Sequence, residues 1–529
     1  MTREDEFFQT HTKGEIWQRY CGFLDLSLED FMNIQENLLM EQIDLVGDST
    51  LGKKIMNDWK PKTVEEFREV VPLTTYQDYE PYLGERREDA LHEKPAFWAH
   101  SSGRGGYFKW VPYTDRFYRR IVDHAIGGLI LACAKSKGEV NLVGDEKIIF
   151  NLAPRPYVSG FIGNGISKRE RFRFLPPPEV AEKMDFQQRT EESFKMGLHE
   201  GVDVVGSLSS VLVKVGERFT GNTKGMRFSA SMLHPAVLWR LSKAFLQSKI
   251  QRRPLLPKDL WPLKGALCSG TDTAIYKDQV RYYWGITPWE LYGPTEAGIL
   301  AMQGWSKNAM SFTPFSSFLE FVPQEEWLKS KEDSEYQPST VLINELREGN
   351  VYEVITTSFY GVPFLRYRPG DLVEVVALSD EENGIKLPQI AFKSRADSLI
   401  DLAGLARLDE RTVWRAIHNT GIQYEEWSAR KEYDHNQSYL RIYLELKQSQ
   451  EPQEIEQMID VELNTIDVDY RDIDSWLGLH PIRVTLLSPG TFQRFYQERQ
   501  REGADLAHLK PPRMNASDEV IQTLINLSE

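Results

Sequence analysis

The stretch Tyr292-Gly293-Pro294-Thr295-Glu296-Ala297-Gly298 follows a short run, Pro288–Leu291, that predicts a β-strand. Open α/β sheets bind ligands beyond the carboxyl ends of their strands, so this turn is expected at a binding edge. The Thr295 hydroxyl can donate to a phosphate, the Glu296 carboxylate can hold a Mg²⁺ ion that bridges phosphate oxygens, and the Tyr292 ring can stack on a base. The other interpretation of Thr295-Glu296 is a capped helix start with a surface glutamate in an ion pair.

A Ser/Gly-rich turn lies upstream, between the runs Pro95–His100 and Tyr107–Tyr113. Backbone N–H groups of such a turn converge on one point and a following lysine adds a positive charge, so phosphate oxygens can be cradled there. The turn is not a Walker loop, because Phe108 precedes the lysine and no Ser or Thr follows it, and it lacks the dinucleotide glycine pattern. A tight hairpin is the alternative. The candidate phosphate-binding residues are Ser101, Ser102, Gly103, Gly105, Gly106 and Lys109.

A third segment, Arg366–Leu372, lies downstream between two predicted antiparallel strands, Val351–Ser358 and Asp371–Leu378. Asp371 follows a Pro-Gly turn and is expected at a loop apex, where its carboxylate can accept hydrogen bonds from the two vicinal hydroxyls of a ribose. Arg395 comes about one strand later and can reach the ribose or a phosphate. The alternatives are an Asx turn for Asp371 and a surface ion pair for Arg395.

Near the C-terminus, Lys510 stands between His508-Leu509 and Pro511-Pro512-Arg513. The prolines stiffen the backbone around this single ammonium group, which makes it a candidate catalytic cation. A solvated lysine is the alternative. Each of these segments is weak evidence by itself, but their order and wide separation along one chain indicate an ATP site.

Length and composition limit the class of protein. The chain has 529 residues, more than one hydrophobic core usually serves, so two or more domains are expected. Apolar residues make up 41% and charged residues 27%, which is typical of a globular protein that folds throughout. A formal charge of −15 without a basic tail argues against nucleic acid and against membrane surfaces as partners.

Targeting and metal-binding patterns are not found in the sequence. The longest apolar run, Ala125–Ala134, is too short to span a bilayer and predicts a buried helix. No pair of His or Cys residues has zinc-ligand spacing, so we expect no dedicated metal cage. The acidic first residues lack the apolar segment of a signal peptide, and the three cysteines are widely spaced, which together predict a reducing cytoplasmic location.

Strand and helix patterns alternate along the chain and predict an α/β fold, with mixed β-sheets layered by helices in a large N-terminal domain. Val202–Val205 predicts a strand that leads directly into a helix over Gly206–Phe219. After Asp397 the pattern becomes helices and strands of a small α+β domain. We therefore expect an N-terminal domain of residues 1–396, which contains the candidate ATP site, and a C-terminal domain of residues 397–529.

Several further motifs carry a family resemblance. Val71–Tyr79 resembles a lead-in to a phosphate loop, Glu462-Leu463-Asn464 with Tyr470-Arg471 resembles a C-terminal helix, and Pro489–Phe492 resembles the start of a final helix. With the motifs above, they make the chain similar to the superfamily of adenylate-forming enzymes that includes acyl-CoA synthetases. Within it the chain most resembles the Gretchen Hagen family of acyl acid amidosynthetases, over residues from about 70 to 515.

The resemblance implies a reaction and a role for each matching residue. A small carboxylic acid would attack the α-phosphate of ATP, giving an acyl adenylate and pyrophosphate, and a nucleophile would then displace AMP. The mobile C-terminal domain would bring in Lys510 to neutralise charge during the first step. The roles implied for the ATP site are adenine contact for Gly270 and Thr271, adenine stacking for Tyr292, phosphate contact for Thr295, Mg²⁺ binding for Glu296, and ribose binding for Asp371 with Arg395.

Two departures from the family pattern keep alternatives open. Arg104-Gly105 stands where the family commonly has hydroxyl residues, and Tyr292-Gly293-Pro294-Thr295-Glu296 is nearer to the pattern of acyl-CoA ligases. We favour an enzyme that forms an amide with an amino acid or another amine. The alternatives are an acyl-CoA ligase that passes the acyl group to coenzyme A, and a nucleotide-binding relative without catalytic activity.

Overall fold

The computed structural model describes residues 6–101, 109–151, 153–184, 186–221, 234–269, 273–332, 336–395, 400–402, 406–434, 437–467, 470–471, 480–501 and 511–529. The chain divides into two compact units, Met1–Lys393 and Ser394–Glu529. We call them the N-terminal unit and the C-terminal unit.

Several helices of the N-terminal unit begin at residues whose side chains cap them. Ser27 accepts a hydrogen bond from the backbone N–H of Asp30, and Thr114 accepts one from that of Phe117. The helices are α1 (Phe7–Thr10), α2 (Lys13–Cys21), α3 (Leu28–Val46), α4 (Thr50–Ile55), α5 (Val64–Val70), α6 (Tyr76–Leu83), α7 (Asp115–Cys133), α8 (Val158–Arg169), α9 (Pro178–Ala181), α10 (Phe186–Glu200), α11 (Ser209–Gly221), α12 (Pro235–Ile250), α13 (Pro257–Leu260), α14 (Thr273–Trp284) and α15 (Gln324–Glu332).

Most strands of the chain lie before residue 396. They are β1 (Phe97–Ser101), β2 (Lys109–Tyr113), β3 (Lys147–Asn151), β4 (Arg173–Phe174), β5 (Val204–Leu208), β6 (Gly265–Ser269), β7 (Trp289–Tyr292), β8 (Ala301–Gln303), β9 (Met310–Phe312), β10 (Ser317–Pro323), β11 (Val351–Ser358), β12 (Asp371–Ala377) and β13 (Gln389–Arg395). β1 and β2 form an antiparallel hairpin, in which Ser101 is opposite Lys109.

An 11-stranded sheet has the strand order β10-β11-β12-β13-β9-β8-β7-β6-β5-β3-β4. The strands from β4 to β7 pair in parallel, whereas β7-β8-β9 and β10-β11-β12 pair antiparallel. The turn after β7 therefore lies where the parallel part of the sheet changes to the antiparallel part. The mixed sheet with its helices confirms the predicted fold class.

The parallel strands are apolar because helices cover both faces of this part of the sheet. Ile148 and Ile149 of β3 and Val204 and Val205 of β5 are all buried. The boundary expected after Val205 was wrong, since β5 continues to Leu208 and α11 begins only at Ser209. Pairing with β3 on one side and β6 on the other extends the strand beyond the point that the local pattern predicts.

One buried ion pair connects the antiparallel part of the sheet to the N-terminal helices. The Arg366 Nη2 and Nε atoms lie 2.9 and 3.0 Å from the two carboxylate oxygens of Glu320 on β10. Arg366 also donates to the backbone carbonyl of Val71, which follows α5. Its φ of 44° is in the left-handed region, so contacts around this side chain must stabilise an unfavourable backbone conformation.

The C-terminal unit is an α+β structure with its own hydrophobic core. β16 pairs antiparallel with β17, and β17 pairs in parallel with β18. Its elements are β14 (Ile400–Leu402), β15 (Ala406–Leu408), α16 (Glu410–Asn419), β16 (Tyr424–Asp434), β17 (Gln437–Leu446), α17 (Pro452–Ile466), β18 (Ile482–Leu487), α18 (Thr491–Arg501) and α19 (Asp518–Ser528). Among the described residues, no helix has the length and apolar character needed to cross a membrane.

We expect Glu320→Ala to lower the free energy of unfolding by about 3–5 kcal/mol, because it leaves the buried Arg366 guanidinium without its carboxylate. Urea denaturation at pH 7 measures this change. The exposed Glu325→Ala, close by on α15, is the matched control and should change stability by less than about 0.5 kcal/mol. Equal stability of the two variants would show that the pair does not hold these elements together.

Candidate active site

The turn Tyr292–Gly298 has a backbone that requires glycine at two positions. A Cβ on Gly293 would lie 2.0 Å from the carbonyl oxygen of Gly298, and Gly298 itself has a φ of 74°. The Tyr292 carbonyl accepts a hydrogen bond from the Leu300 backbone N–H at 2.9 Å, which closes the turn. Tyr292 is the last residue of β7, whereas the sequence pattern placed it one residue beyond the end of the strand. The closed turn presents Thr295 and Glu296 at its tip.

Tyr292 and Asp371 meet across the sheet. The Tyr292 hydroxyl donates to Asp371 Oδ2 at 3.0 Å, and both side chains are buried. Asp371 is the first residue of β12, as the predicted strand Asp371–Leu378 has it, so its carboxylate lies at the end of the turn and not at the loop apex that was expected, and it is only 4% exposed. The tyrosine orients the carboxylate, so its position does not depend on a mobile loop.

Glu296, Lys109 and Tyr367 form a compact polar group. Lys109 Nζ lies 3.8 Å from Glu296 Oε1 and 3.3 Å from the Tyr367 hydroxyl, which donates to the same Glu296 oxygen at 2.9 Å. The Glu296 side chain is only 7% exposed, so it is not the surface glutamate of the alternative interpretation. The structure therefore brings together two of the predicted ligand-binding charges, one from β2 and one from the turn.

Side chains from three strands hold the backbone carbonyls of this turn. Tyr113 of β2 donates to the Thr295 carbonyl at 2.6 Å, Ser358 of β11 to that of Glu296 at 2.7 Å, and Ser317 of β10 to that of Ala297 at 3.1 Å. These bonds fix the turn without using its side chains. The Thr295 hydroxyl makes no hydrogen bond to another described residue, so it is available to a ligand.

Three tyrosines of the site were not recognised as site residues in the sequence. Burial raises the pKa of Tyr113 well above its usual value, so this hydroxyl remains a donor at ordinary pH. Burial also raises the pKa of Tyr76 to about 12, with a further contribution from the charge of Glu296. The Tyr76 ring centre lies 5.4 Å from Lys109 Nζ. Tyr367 lies inside the Arg366–Leu372 motif, which was a signal for its role, whereas nothing local marks the other two.

Other predicted site residues lie outside the part of the chain that the structure describes. Ser101 is described only as the backbone end of β1, and Arg395 only as the backbone end of β13. The proposed roles of these residues stay predictions. The predicted residues that lie outside the description are Ser102, Gly103, Gly105, Gly106, Gly270, Thr271 and Lys510.

Glu290 is an acidic residue of β7 that the sequence patterns did not single out. It lies two residues before Tyr292 and therefore faces the same side of the sheet. Burial raises the pKa of Glu290 to about 7, although Lys277 lowers it in part. An acidic residue within a short apolar strand was the available signal, and it indicates a polar group beside the candidate base-stacking residue.

Family models match three parts of the chain. The GH3 family N-terminal domain matches residues 21–141, the GH3 family central domain matches residues 310–395, and the GH3 family C-terminal domain matches residues 411–519, together more than half of the chain. The chain belongs to the GH3 family. This confirms the Gretchen Hagen resemblance that the motifs indicated. The segment with Tyr292 and Glu296 lies between the first two matched ranges. No curated protein sequence matches the chain.

Solved structures share the fold along nearly the whole chain. The AtGH3.15 acyl acid amido synthetase in complex with 2,4-DB has a TM-score of 0.71 at 18% identity, over 98% of this chain and 97% of that one. The 2-hydroxyisobutyryl-CoA ligase in the postadenylation state, in complex with R3-HIB-AMP, has a TM-score of 0.61 at 12% identity, over 99% and 97%. At such identities the likeness shows a common fold, in agreement with the predicted class.

We expect Glu290→Gln to stabilise the protein at pH 8 but not at pH 4.5. The folded-state pKa of about 7 is above the unfolded value, so this carboxyl reduces the free energy of unfolding as pH rises through that interval. The uncharged amide removes this loss, which predicts a gain of about 1–3 kcal/mol at pH 8. Urea denaturation at both pH values tests it. The exposed Glu348→Gln should show no such pH dependence, and a gain from Glu290→Gln that is equal at both pH values would contradict the burial argument.

Proposed function

We propose that the protein activates a small carboxylic acid with ATP and transfers the acyl group to an amino acid or another amine. The convergence of Lys109, Glu296 and Asp371, predicted from three distant segments, carries this proposal. Lys109 Nζ lies 3.8 Å from Glu296 Oε1. Asp371 accepts a hydrogen bond from Tyr292, which belongs to the same turn as Glu296. A cation on the β1–β2 hairpin, a buried carboxylate in the turn after β7 and a second carboxylate at the start of β12 match the phosphates, the metal ion and the ribose of ATP.

In the first half-reaction an oxygen of the acid forms a bond to the α-phosphorus of ATP, and the bond from that phosphorus to the bridging oxygen breaks as pyrophosphate leaves. Two anions must approach each other, so positive charge has to be in place before they react. Lys109 supplies such a charge beside the turn, and the Thr295 hydroxyl can donate to a phosphate oxygen. Lys510, in the C-terminal domain, is proposed to neutralise the α-phosphate.

The residues present suit a Mg²⁺ ion that arrives with ATP. Glu296 is a buried carboxylate, and no group of three or more potential metal ligands occurs among the described residues. Mg²⁺ commonly takes one or two carboxylates and fills its other positions with phosphate oxygens and water. Glu296 would hold the ion, which would supply positive charge next to the phosphates.

The second half-reaction needs a nucleophile. The nitrogen of an amine would form a bond to the acyl carbon, AMP would leave with the electrons of the acyl–oxygen bond, and the amine would lose a proton. We propose that residues 1–396 bind ATP and the acid, and that residues 397–529 form a mobile domain whose rotation opens the acceptor site. Adenine contact by Gly270 and Thr271, phosphate binding by the Ser101–Gly106 turn and ribose binding by Arg395 belong to the same proposal.

Coenzyme A is the second candidate acceptor. The structure of 2-hydroxyisobutyryl-CoA ligase shares the fold, and another structure of it is in complex with 2-HIB-AMP and CoA. The motif Tyr292–Glu296 also resembles the corresponding motif of acyl-CoA ligases more than that of the plant amidosynthetases. Both acceptors use the same first half-reaction, so the described site is consistent with either.

A reducing, cytoplasmic location is part of the proposal. The thiols of Cys21, Cys133 and Cys268 are all free and buried. Burial raises the pKa of Cys133 and of Cys268 to about 12, which keeps these thiols protonated and unreactive. Such cysteines are typical of proteins from a reducing compartment.

Carboxylate-dependent exchange of pyrophosphate into ATP should fall at least about 100-fold in Glu296→Gln and in Lys510→Ala, because each removes a charge group needed in the transition state. Asp371→Asn should instead raise KM for ATP about tenfold. The matched control is Glu374→Gln on the same strand as Asp371, with an exposed side chain, and it should be unaffected. An exchange rate that is unchanged in both Glu296→Gln and Lys510→Ala would refute the assignment of the site. ATP binding without exchange for any acid of a broad panel would favour the silent relative.

AMP release with a panel of acids, crossed with amino acids and coenzyme A, decides the acceptor. We expect release to depend on an amino acid or another amine, with a covalent amide product that mass spectrometry detects. Release that requires coenzyme A and gives a thioester would establish the alternative. An acid without any acceptor should give only slow AMP release, and it is the background for both arms.

A further inference from the structure

A cavity of about 490 Å³ lies in the N-terminal unit among α3, α7 and the end of α8. Four arginines line it, Arg116, Arg119, Arg120 and Arg169, together with one acid, Asp123. The lining therefore carries more positive than negative side chains, in a chain whose formal charge is −15. None of these residues belongs to the candidate active site.

The four arginines differ in how far acidic side chains neutralise them. Arg116 is paired with Glu41, Arg119 with Asp115 at 2.8 Å, and Arg169 with Asp123. Arg120 makes no ion pair with a described carboxylate, and its guanidinium lies 4.9 Å from the centre of the Phe315 ring. Its fork of N–H donors matches the geometry of a carboxylate or a phosphate.

The rest of the lining is mostly apolar. It consists of Ile34 and Leu38 of α3, the rings of Phe315 and Tyr360, and one polar residue, Asn37. A ligand that satisfies both kinds of wall has an oxyanion joined to an apolar or aromatic body. Behind the wall, His124 is buried, and burial lowers its pKa to about 3 with a further contribution from the charge of Arg120. It stays neutral and adds no charge, so the charge of the cavity is that of the four arginines and of the carboxylates that pair with three of them.

The aromatic wall is close in sequence to the groups that hold the Tyr292–Gly298 turn. Phe315 comes two residues before Ser317, which bonds the Ala297 carbonyl, and Tyr360 comes two residues after Ser358, which bonds the Glu296 carbonyl. A ligand that packs against both rings restricts the two segments that carry these serines. Two short lengths of backbone therefore join the aromatic wall of the cavity to the serines that hold the turn.

We propose that this cavity is a second binding site, for a small organic oxyanion with an apolar body, and that its occupancy stabilises the Tyr292–Gly298 turn. The site does not rest on ATP chemistry, since it is defined by Arg120 and the aromatic wall. A carboxylic acid and a phosphate ester are two sources of the same chemistry. Benzoate and phenyl phosphate represent them.

Isothermal titration of the full chain tests the site, with benzoate, phenyl phosphate and inorganic phosphate at constant ionic strength. At least one of the two aromatic anions should saturate a single site, and inorganic phosphate, which lacks the apolar body, should bind at least tenfold more weakly. Arg120→Ala should weaken binding at least tenfold, and Arg120→Lys should weaken it less because it keeps the charge but loses the fork. Arg281→Ala, an exposed arginine of α14 outside the cavity, should bind as the wild type does.

Binding at the candidate active site is distinguished with Lys109→Ala, which should bind the aromatic anions unchanged. Arg116→Ala, whose side chain is 56% exposed, is a second cavity variant that keeps the test valid if Arg120→Ala fails to fold. No saturable binding, unchanged binding in both cavity variants, or loss of binding in Lys109→Ala would overturn the site. Hydrogen exchange of the peptide that contains residues 293–298 should slow when the anion binds, and unchanged exchange would overturn the effect on the turn.

Discussion

The burial of the Glu296 carboxylate is the constraint on which the rest of the candidate site depends. A carboxylate that leaves water loses several kcal/mol of solvation unless charge and hydrogen bonds replace it, roughly as for any buried ion. Here the Tyr367 hydroxyl at 2.9 Å and the Lys109 ammonium at 3.8 Å replace it. These partners come from the hairpin of β1 and β2 and from the segment before β12, so the position of Glu296 and the arrangement of the sheet depend on each other.

Neutral hydroxyl groups hold the turn of the candidate site in place, and the charged groups described there are few: Lys109, Glu296 and Asp371. Tyr113, Ser317 and Ser358 fix the turn through its backbone carbonyls, which leaves the side chains of Thr295 and Glu296 to face a ligand. Such an arrangement suits a reaction in which the protein places charges around phosphates and supplies no nucleophile of its own. Because these bonds join protein groups only, a turn held in this way needs little reorganisation at the moment of reaction.

Neither the fold nor the net charge determines which molecules the protein binds. An acyl acid amido synthetase and a CoA ligase share this fold with TM-scores of 0.71 and 0.61, so the architecture is compatible with more than one acceptor. The net charge likewise does not describe the charge of an individual binding site. The chain is acidic as a whole, yet its cavity among α3, α7 and α8 is lined by Arg120, which makes no ion pair with a described carboxylate. Local charge matters because electrostatic recognition depends on charges within a Debye length, which is about 8–10 Å at physiological salt.

The sequence by itself determined the α/β class, the buried helix over Ala125–Ala134 and the family, because periodicity and motif order are local properties of the chain. It also predicted Glu296 and Asp371 as residues of the ATP site. Only the tertiary structure decided how those residues are held. Tyr292 meets Asp371 across 79 positions and Tyr367 meets Glu296 across 71, and no local pattern encodes such a contact. Asp371 was expected at a loop apex, and its burial could not be predicted for the same reason: burial is a property of what packs around a residue, and neighbours along the chain do not determine it.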